Sequence, residues 1–498
     1  GDVYKRQQWM QKPNINARTT FVACIGTFLA FAPSVSAEAY FQTTCNAEAD
    51  QAFNEGLNLI HNMMYIQAED AFNAAAAADP ACAMAQRGIA MSNFHPLWPG
   101  TPSEAETDRG MAAAQKLGSM TSENAVEQAF IDAAAAFYAP NEDGYRAQLK
   151  AWADAQIAAA DQDPDNIDAA AFAALARLAT APPGPERTEV RSKVGHALDE
   201  LHTMAPEHPG VIHYAFHAYD NPPLKERGRP YAEIYDKTAP SAPHALHMPA
   251  HIFTRTGEWE KSIDLNRRSA EAALEQSKDV IQSHYAHAVD YMVYGHLQLG
   301  NVEAASKLVD DMLAIDNHQV NFGTAYALAA APVRLPLEQG QWEAAANLSP
   351  EMHPVIPWEK FPQTVAMRWF AIGLGAARNG DVTTAQTALD ELVPLHGILQ
   401  ERGQAYWAQL TEAQIMTVEA WIALAEGNEE MAVSKQSAAA DLEDSIGKSP
   451  VTPGHVLPAR ELLGDMLMTL GRPGDSKAAY QASLTLSPNR ARSLAALQ

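Results

Sequence analysis

EADQAFNEGLNLIHNMMYIQAEDAFNAAAAADP (48–80) is the stretch whose reading decides the fold. Gly56, Ala68, Phe72, Ala75 and Pro80 fall 8, 20, 24, 27 and 32 residues after Glu48. Gly464, Ser476, Tyr480, Ser483 and Pro488 repeat the same intervals near the other end of the chain. Between them, glycine turns are followed five residues later by a small residue: Gly257 with Ser262, Gly300 with Ala305, Gly340 with Ala345, Gly380 with Ala385, and Gly427 with Ala432. Periods of this length belong to stacked helix-turn-helix units that bury their apolar faces against neighbours.

The intervals in 48–80 resemble the tetratricopeptide repeat, although its fourth position is Ala52 rather than tryptophan. The resemblance implies an all-α fold, a right-handed superhelix of antiparallel helix pairs (an α-solenoid); closure on itself at the histidine region is a separate expectation. Small residues let two helices touch, a bulky one fills the gap, and proline ends the second helix. Residues 83–205 lack the full signature, but Ala-rich stretches at 123–138, 143–161, 166–180 and 187–204 have helical apolar spacing. NFHPLWPGTPSE (93–104) and Pro222–Pro230 read as loops.

The 498 residues carry a net charge of −25, which disfavours nucleic acid and anionic membrane surfaces. Gly1–Gln7 matches a translated sequencing adapter, so residues 1–9 are set aside and Met10 is the expected start. Residues 10–37 read as a signal peptide: Lys12 and Arg18, the short apolar run Thr20–Phe31, then Val35-Ser36-Ala37. Cleavage is expected between Ala37 and Glu38, giving a periplasmic or secreted protein; a membrane anchor is the alternative reading. Asn489–Gln498 reads as a helix cut short. No other run is apolar for long enough to span a bilayer. Cys45 and Cys82 would remain, each near the start of a first helix. They form a disulfide, as export favours, or stay as buried thiols. The organisation is then N-terminal repeats over 38–205, a His-rich centre over 206–300 and C-terminal repeats over 301–498.

Nine of the seventeen histidines lie between His208 and His296. His213 and His217 are four apart, as are His247 and His251, so each pair shares a helix face. The second pair follows the first by 34 residues, one repeat later. In tetratricopeptide arrays the first helix of each pair lines the concave groove. Counting back from Gly257 sets His244, His247 and His251 at groove positions 2, 5 and 9; counting back from Gly300 sets His287, Asp290 and Tyr294 there in the next repeat. Helices stack about 8–10 Å apart, close enough for imidazoles from neighbouring layers to meet on one ion.

The candidate metal ligands are His213, His217, His247, His251, His284 and His287, for one or two ions. Imidazoles select copper or zinc, with iron as a third option. Asp220 and Asp290 are candidates for fixing ring tautomers or for ligands themselves. His244, Arg255 and Tyr294 complete the groove lining. Scattered neutral histidines lining a peptide groove are the competing reading. H-E-x-x-H, C-x-x-C, G-x-S-x-G and phosphate-loop motifs are absent. HMPAHIF-x-R-x-G-x-W (247–259) is similar to bacterial tetratricopeptide proteins with no assigned role. Three functions fit: an exported array binding a peptide or protein partner, a metalloprotein (a copper or zinc oxidase or hydrolase if it is an enzyme), or a small-molecule binder.

Overall fold

The computed structural model describes residues 40–98, 101–182 and 184–498. The adapter-like start and the expected signal peptide at 10–37 lie outside them. Twenty-five α-helices follow one another among the described residues, and the only β contact there is an isolated bridge between Ile281 and His318.

Local chemistry explains the first pair. Asn46 caps helix Ala47–His61 by accepting from the Ala49 N–H, which satisfies one of the free amides of the first turn. Helix Tyr65–Ala78 packs back on it. A Cβ on Gly56 would stand 2.6 Å from the Phe72 ring, so the glycine is what lets the helices touch. The last full pair, Ala459–Thr469 and Pro473–Leu486, repeats the device: Gly464 faces Tyr480, and the Ser476 hydroxyl donates to the Gly464 carbonyl at 2.8 Å. The tetratricopeptide spacing is therefore realised at both ends of the array.

The weakly patterned region is helical too, as Ala125–Tyr138, Tyr145–Gln162, Ile167–Ala179 and Pro185–Met204. The described residues of the loop expected at 93–104 are non-helical up to the Ser103–Glu106 capping box, which opens helix Glu104–Leu117. Pro222–Pro230 corrects its reading as a loop. Lys225–Ala232 is a short helix with Pro230 inside it. Burial of Gly228, Tyr231 and Ala232 outweighs the single backbone hydrogen bond that proline forfeits.

Cys45 and Cys82 are disulfide-bonded, joining the starts of helices Ala47–His61 and Ala83–Met91. No helix among the described residues is long and apolar enough to cross a membrane.

Both ends of the array fold back on the central repeats. From the N-terminal side, the His61 ring contacts Tyr214 and Asp168. From the C-terminal side, Asn489 donates to the Gly257 carbonyl at 3.2 Å and accepts from the Trp259 indole at 3.0 Å. Gly257 has φ 72°, and a Cβ there would stand 2.4 Å from the Pro488 carbonyl oxygen. That glycine therefore answers to the turn and to the returning segment together.

Candidate metal centre

Helix Pro209–Tyr219 places His213 and His217 one turn apart. Across from it, Pro243–His247 and Pro249–Thr256 abut at Met248, where Pro249 lacks an N–H but the backbone stays helical (φ −54°, ψ −40°). The join keeps His244, His247 and His251 on one side. Helix Ser283–Gln298 supplies His284 and His287.

The rings gather into two triads, His213/His217/His244 and His247/His251/His287, each with its ligand atoms within 4.8 Å of one another. In the first, the Nε2 of His213 lies 3.1 Å from that of His217 and 3.2 Å from that of His244. Nitrogens bound tetrahedrally to one ion at about 2.0 Å stand about 3.3 Å apart. In the second, the Nε2 atoms of His247 and His251 are 2.8 Å apart, and the His287 ring centroid is 4.4 Å from that of His247. The triads adjoin, with His244 and His247 ring centroids 6.4 Å apart.

The far side of three rings is anchored. His213 Nδ1 donates to the His61 carbonyl at 2.6 Å. His247 Nδ1 donates to Asn266 Oδ1 at 2.6 Å, and the Asn266 amide is oriented by its own Nδ2 donating to the Ser262 carbonyl at 2.7 Å. His251 Nδ1 donates to Asp220 Oδ2 at 2.9 Å, while Arg255 binds the other carboxylate oxygen. A ring protonated on Nδ1 presents an Nε2 lone pair, the form a metal requires.

His213, His244, His247 and His251 are buried, and His217 and His287 are half-buried. Burial pushes His213 down to about 3, and burial followed by neighbouring histidines holds His217, His244, His247 and His287 well below the ordinary value. The imidazoles are therefore neutral near pH 7. Burial would raise Asp220, but Arg255, Lys448 and His251 hold it well below the usual carboxylate range.

His244, expected only as groove lining, completes the first triad. His284, expected as a ligand, stands outside both triads, its ring 5.5 Å from His244 and 5.9 Å from Trp98. Asp220 and Arg255 lie behind the second triad. Asp290 does not meet a histidine: Arg334 holds it at 2.8 Å. Tyr294 accepts from Arg490 at 2.9 Å, away from the rings. Trp98 packs against the N-terminal core and also reaches the rings of His244 and His284, with centroids 6.1 and 5.9 Å away.

A third cluster, His61/Asp168/His208, was not singled out in the sequence. His208 Nδ1 accepts from the Val211 N–H at 3.3 Å, so its Nε2 carries the proton and donates to Asp168 at 3.1 Å. His61 Nε2 meets the same oxygen at 2.9 Å, and its Nδ1 lies 3.0 Å from the Tyr214 hydroxyl. This is a closed proton-bearing network, with no lone pair left facing a shared point. It anchors His61, whose carbonyl orients His213.

No protein-family profile and no curated protein sequence matches the chain. Similar solved structures include the Cut9–Hcn1 hetero-tetramer of the APC/C (13% identity, 90% of this chain and 75% of that one, TM-score 0.37). Yeast Tom70 aligns at 11% identity over 90% of this chain and 94% of that one, with TM-score 0.36. A human IFIT1 dimer with PPP-AAAA aligns at 12% over 80% and 96%, with TM-score 0.32. At these scores the likeness carries nothing about chemistry.

Proposed function

We propose that this tetratricopeptide-type array is a metalloprotein that holds two transition-metal ions, one in each histidine triad. One relationship carries the reading. His247 and His251 both commit Nδ1–H to oxygen acceptors, yet their Nε2 atoms are 2.8 Å apart. Two lone pairs at that distance repel unless a cation lies between them. A proton would leave an imidazolium buried beside Arg255, which burial disfavours. A metal ion satisfies both rings at once.

The donor set suits copper or zinc, with iron a weaker fit for all-imidazole ligation. Bound copper would supply redox chemistry and bound zinc a Lewis acid. The residues of the chain have definite parts: six imidazoles bind, while the His61 carbonyl, Asn266 and Asp220 fix tautomers. Arg255 keeps Asp220 ionised. A peptide lying along the groove would need these rings spread over an accessible channel, and four of the six are buried. A peptide or protein partner would dock elsewhere on the array. Export to an oxidising compartment belongs to the proposal, and the Cys45–Cys82 bond supports it.

The test is elemental analysis of protein loaded with copper or zinc and then desalted. The expected content is about two ions per chain, falling to about one in His213→Ala and about one in His247→Ala/His251→Ala. Equally low metal in all three proteins would end the proposal.

A further inference from the structure

A cavity of about 70 Å³ lies between the end of helix Pro249–Thr256, the loop at 447–458 and the end of helix Pro473–Leu486. Its charged walls are Arg255, Lys448, Arg460, Glu443 and Asp444. Most of these charges are matched. Arg460 Nε donates to Asp444 at 2.8 Å. Arg255 directs Nε and Nη2 to Asp220, leaving Nη1. Glu443 accepts the Ala459 N–H at 2.7 Å, and burial pushes it up to about 8, so it is mostly the uncharged acid at neutral pH. Lys448 is the exception. Its Nζ donates to the Thr452 carbonyl at 3.0 Å and forms no ion pair among the described residues. Burial pushes Lys448 down to about 7, and Asp220, the carboxylate that acts on it, is shared with Arg255, so this wall of the cavity carries more positive than negative charge.

We propose that this cavity binds one small oxyanion of carboxylate or carbonate size, with Lys448 as its counter-ion and Arg255 Nη1 as a second donor. Size supports the class. At about 30 Å³ of liquid volume per water, the space holds some two waters or one anion of three or four heavy atoms. The same Arg255 grips Asp220, which orients His251. An anion here would therefore adjoin the second triad through a single carboxylate. The site does not require a metal to be bound.

The test is calorimetric titration with acetate, bicarbonate and phosphate, on protein as purified and again after chelator treatment. Acetate or bicarbonate is expected to bind once per chain in both preparations; the tighter of the two identifies the source of the oxyanion, and phosphate should bind more weakly. Lys448→Met should weaken binding about tenfold or more, while Lys448→Arg should keep most of it. Thermal midpoints check that both variants fold. No saturable binding to wild type, tightest binding by phosphate, or equal affinity in Lys448→Met, overturns the assignment. Since the chelated sample reports on the cavity alone, failure here leaves the metal proposal standing, and the reverse also holds.

Discussion

Oδ2 of Asp220 accepts the Nδ1–H of His251 at 2.9 Å. The carboxylate thus fixes one imidazole tautomer and raises that ring's basicity toward an ion. Asp220→Asn should cost the second triad about 10–100-fold in metal affinity, the usual effect of losing such a partner. Competition against a chelator of known affinity measures it. The first triad should keep its affinity; equal loss at both sites would show that the change acts through the fold instead.

The first triad depends on a different residue. His213 donates to the carbonyl of His61, and the His61 ring is held by Asp168 at 2.9 Å. Asp168→Asn loosens that ring and the last turn of its helix. Metal affinity at the first triad should fall by about tenfold, with the second unchanged. The readout is the same competition, repeated in a His247→Ala/His251→Ala background where only the first triad is left.

Much of this is legible in the sequence. Helix pairing follows from Gly56 with Phe72 and from Gly464 with Tyr480, because close helix contact demands those sizes at those intervals. The 34-residue interval between the histidine pairs placed them on adjacent layers. Intervals could not show which histidine of each group completes a triad. His244 Nε2 stands 3.2 Å from that of His213, whereas the His284 ring only approaches His244 at 5.5 Å, and no interval in the sequence encodes that difference. His61 and Asp168 were invisible for another reason. They are 107 residues apart in sequence and meet only because the array curls. Asp290 was misplaced because its partner, Arg334, belongs to the next layer, 44 residues on.

Acid should unfold the metal-free protein early. Burial pushes His213 down to about 3, and His61 and His284 to about 4, from an ordinary 6.5. The unfolded chain therefore binds protons below about pH 6.5 that the folded chain refuses. This stability is present above that pH and is lost as pH falls toward 4. Glu443 acts in the opposite sense: its folded value, about 8, lies above the ordinary 4.5. Its contribution is full below 4.5 and declines as pH rises toward 8. Thermal midpoints of chelated protein should drop steeply on the acid side. Glu443→Gln should flatten the shallower alkaline decline, and an unchanged profile would contradict its assignment as a buried acid.

Arg490 is fully buried against Glu461 at 2.7 Å and Glu338 at 2.9 Å. Arg490→Met would leave two carboxylates without their cation in the interior. The expected loss is about 3–5 kcal/mol, as for other buried pairs broken from one side. Chemical denaturation of metal-free protein measures it. Arg490→Lys should recover only part, since one ammonium cannot serve both carboxylates and the Tyr294 hydroxyl in the same geometry.

The return of both ends to the middle also sets an order of events during synthesis. His61 leaves the ribosome long before His213, and Asn489 long after Gly257, so neither closing contact can form locally. Contacts so distant in sequence mature late. His213 acquires its fixed tautomer only once the His61 carbonyl is in place, whereas the second triad draws its acceptors from Asp220 and Asn266, which are close in sequence to its histidines. Under the metal proposal, loading would be a finishing step on an array whose ends have already closed.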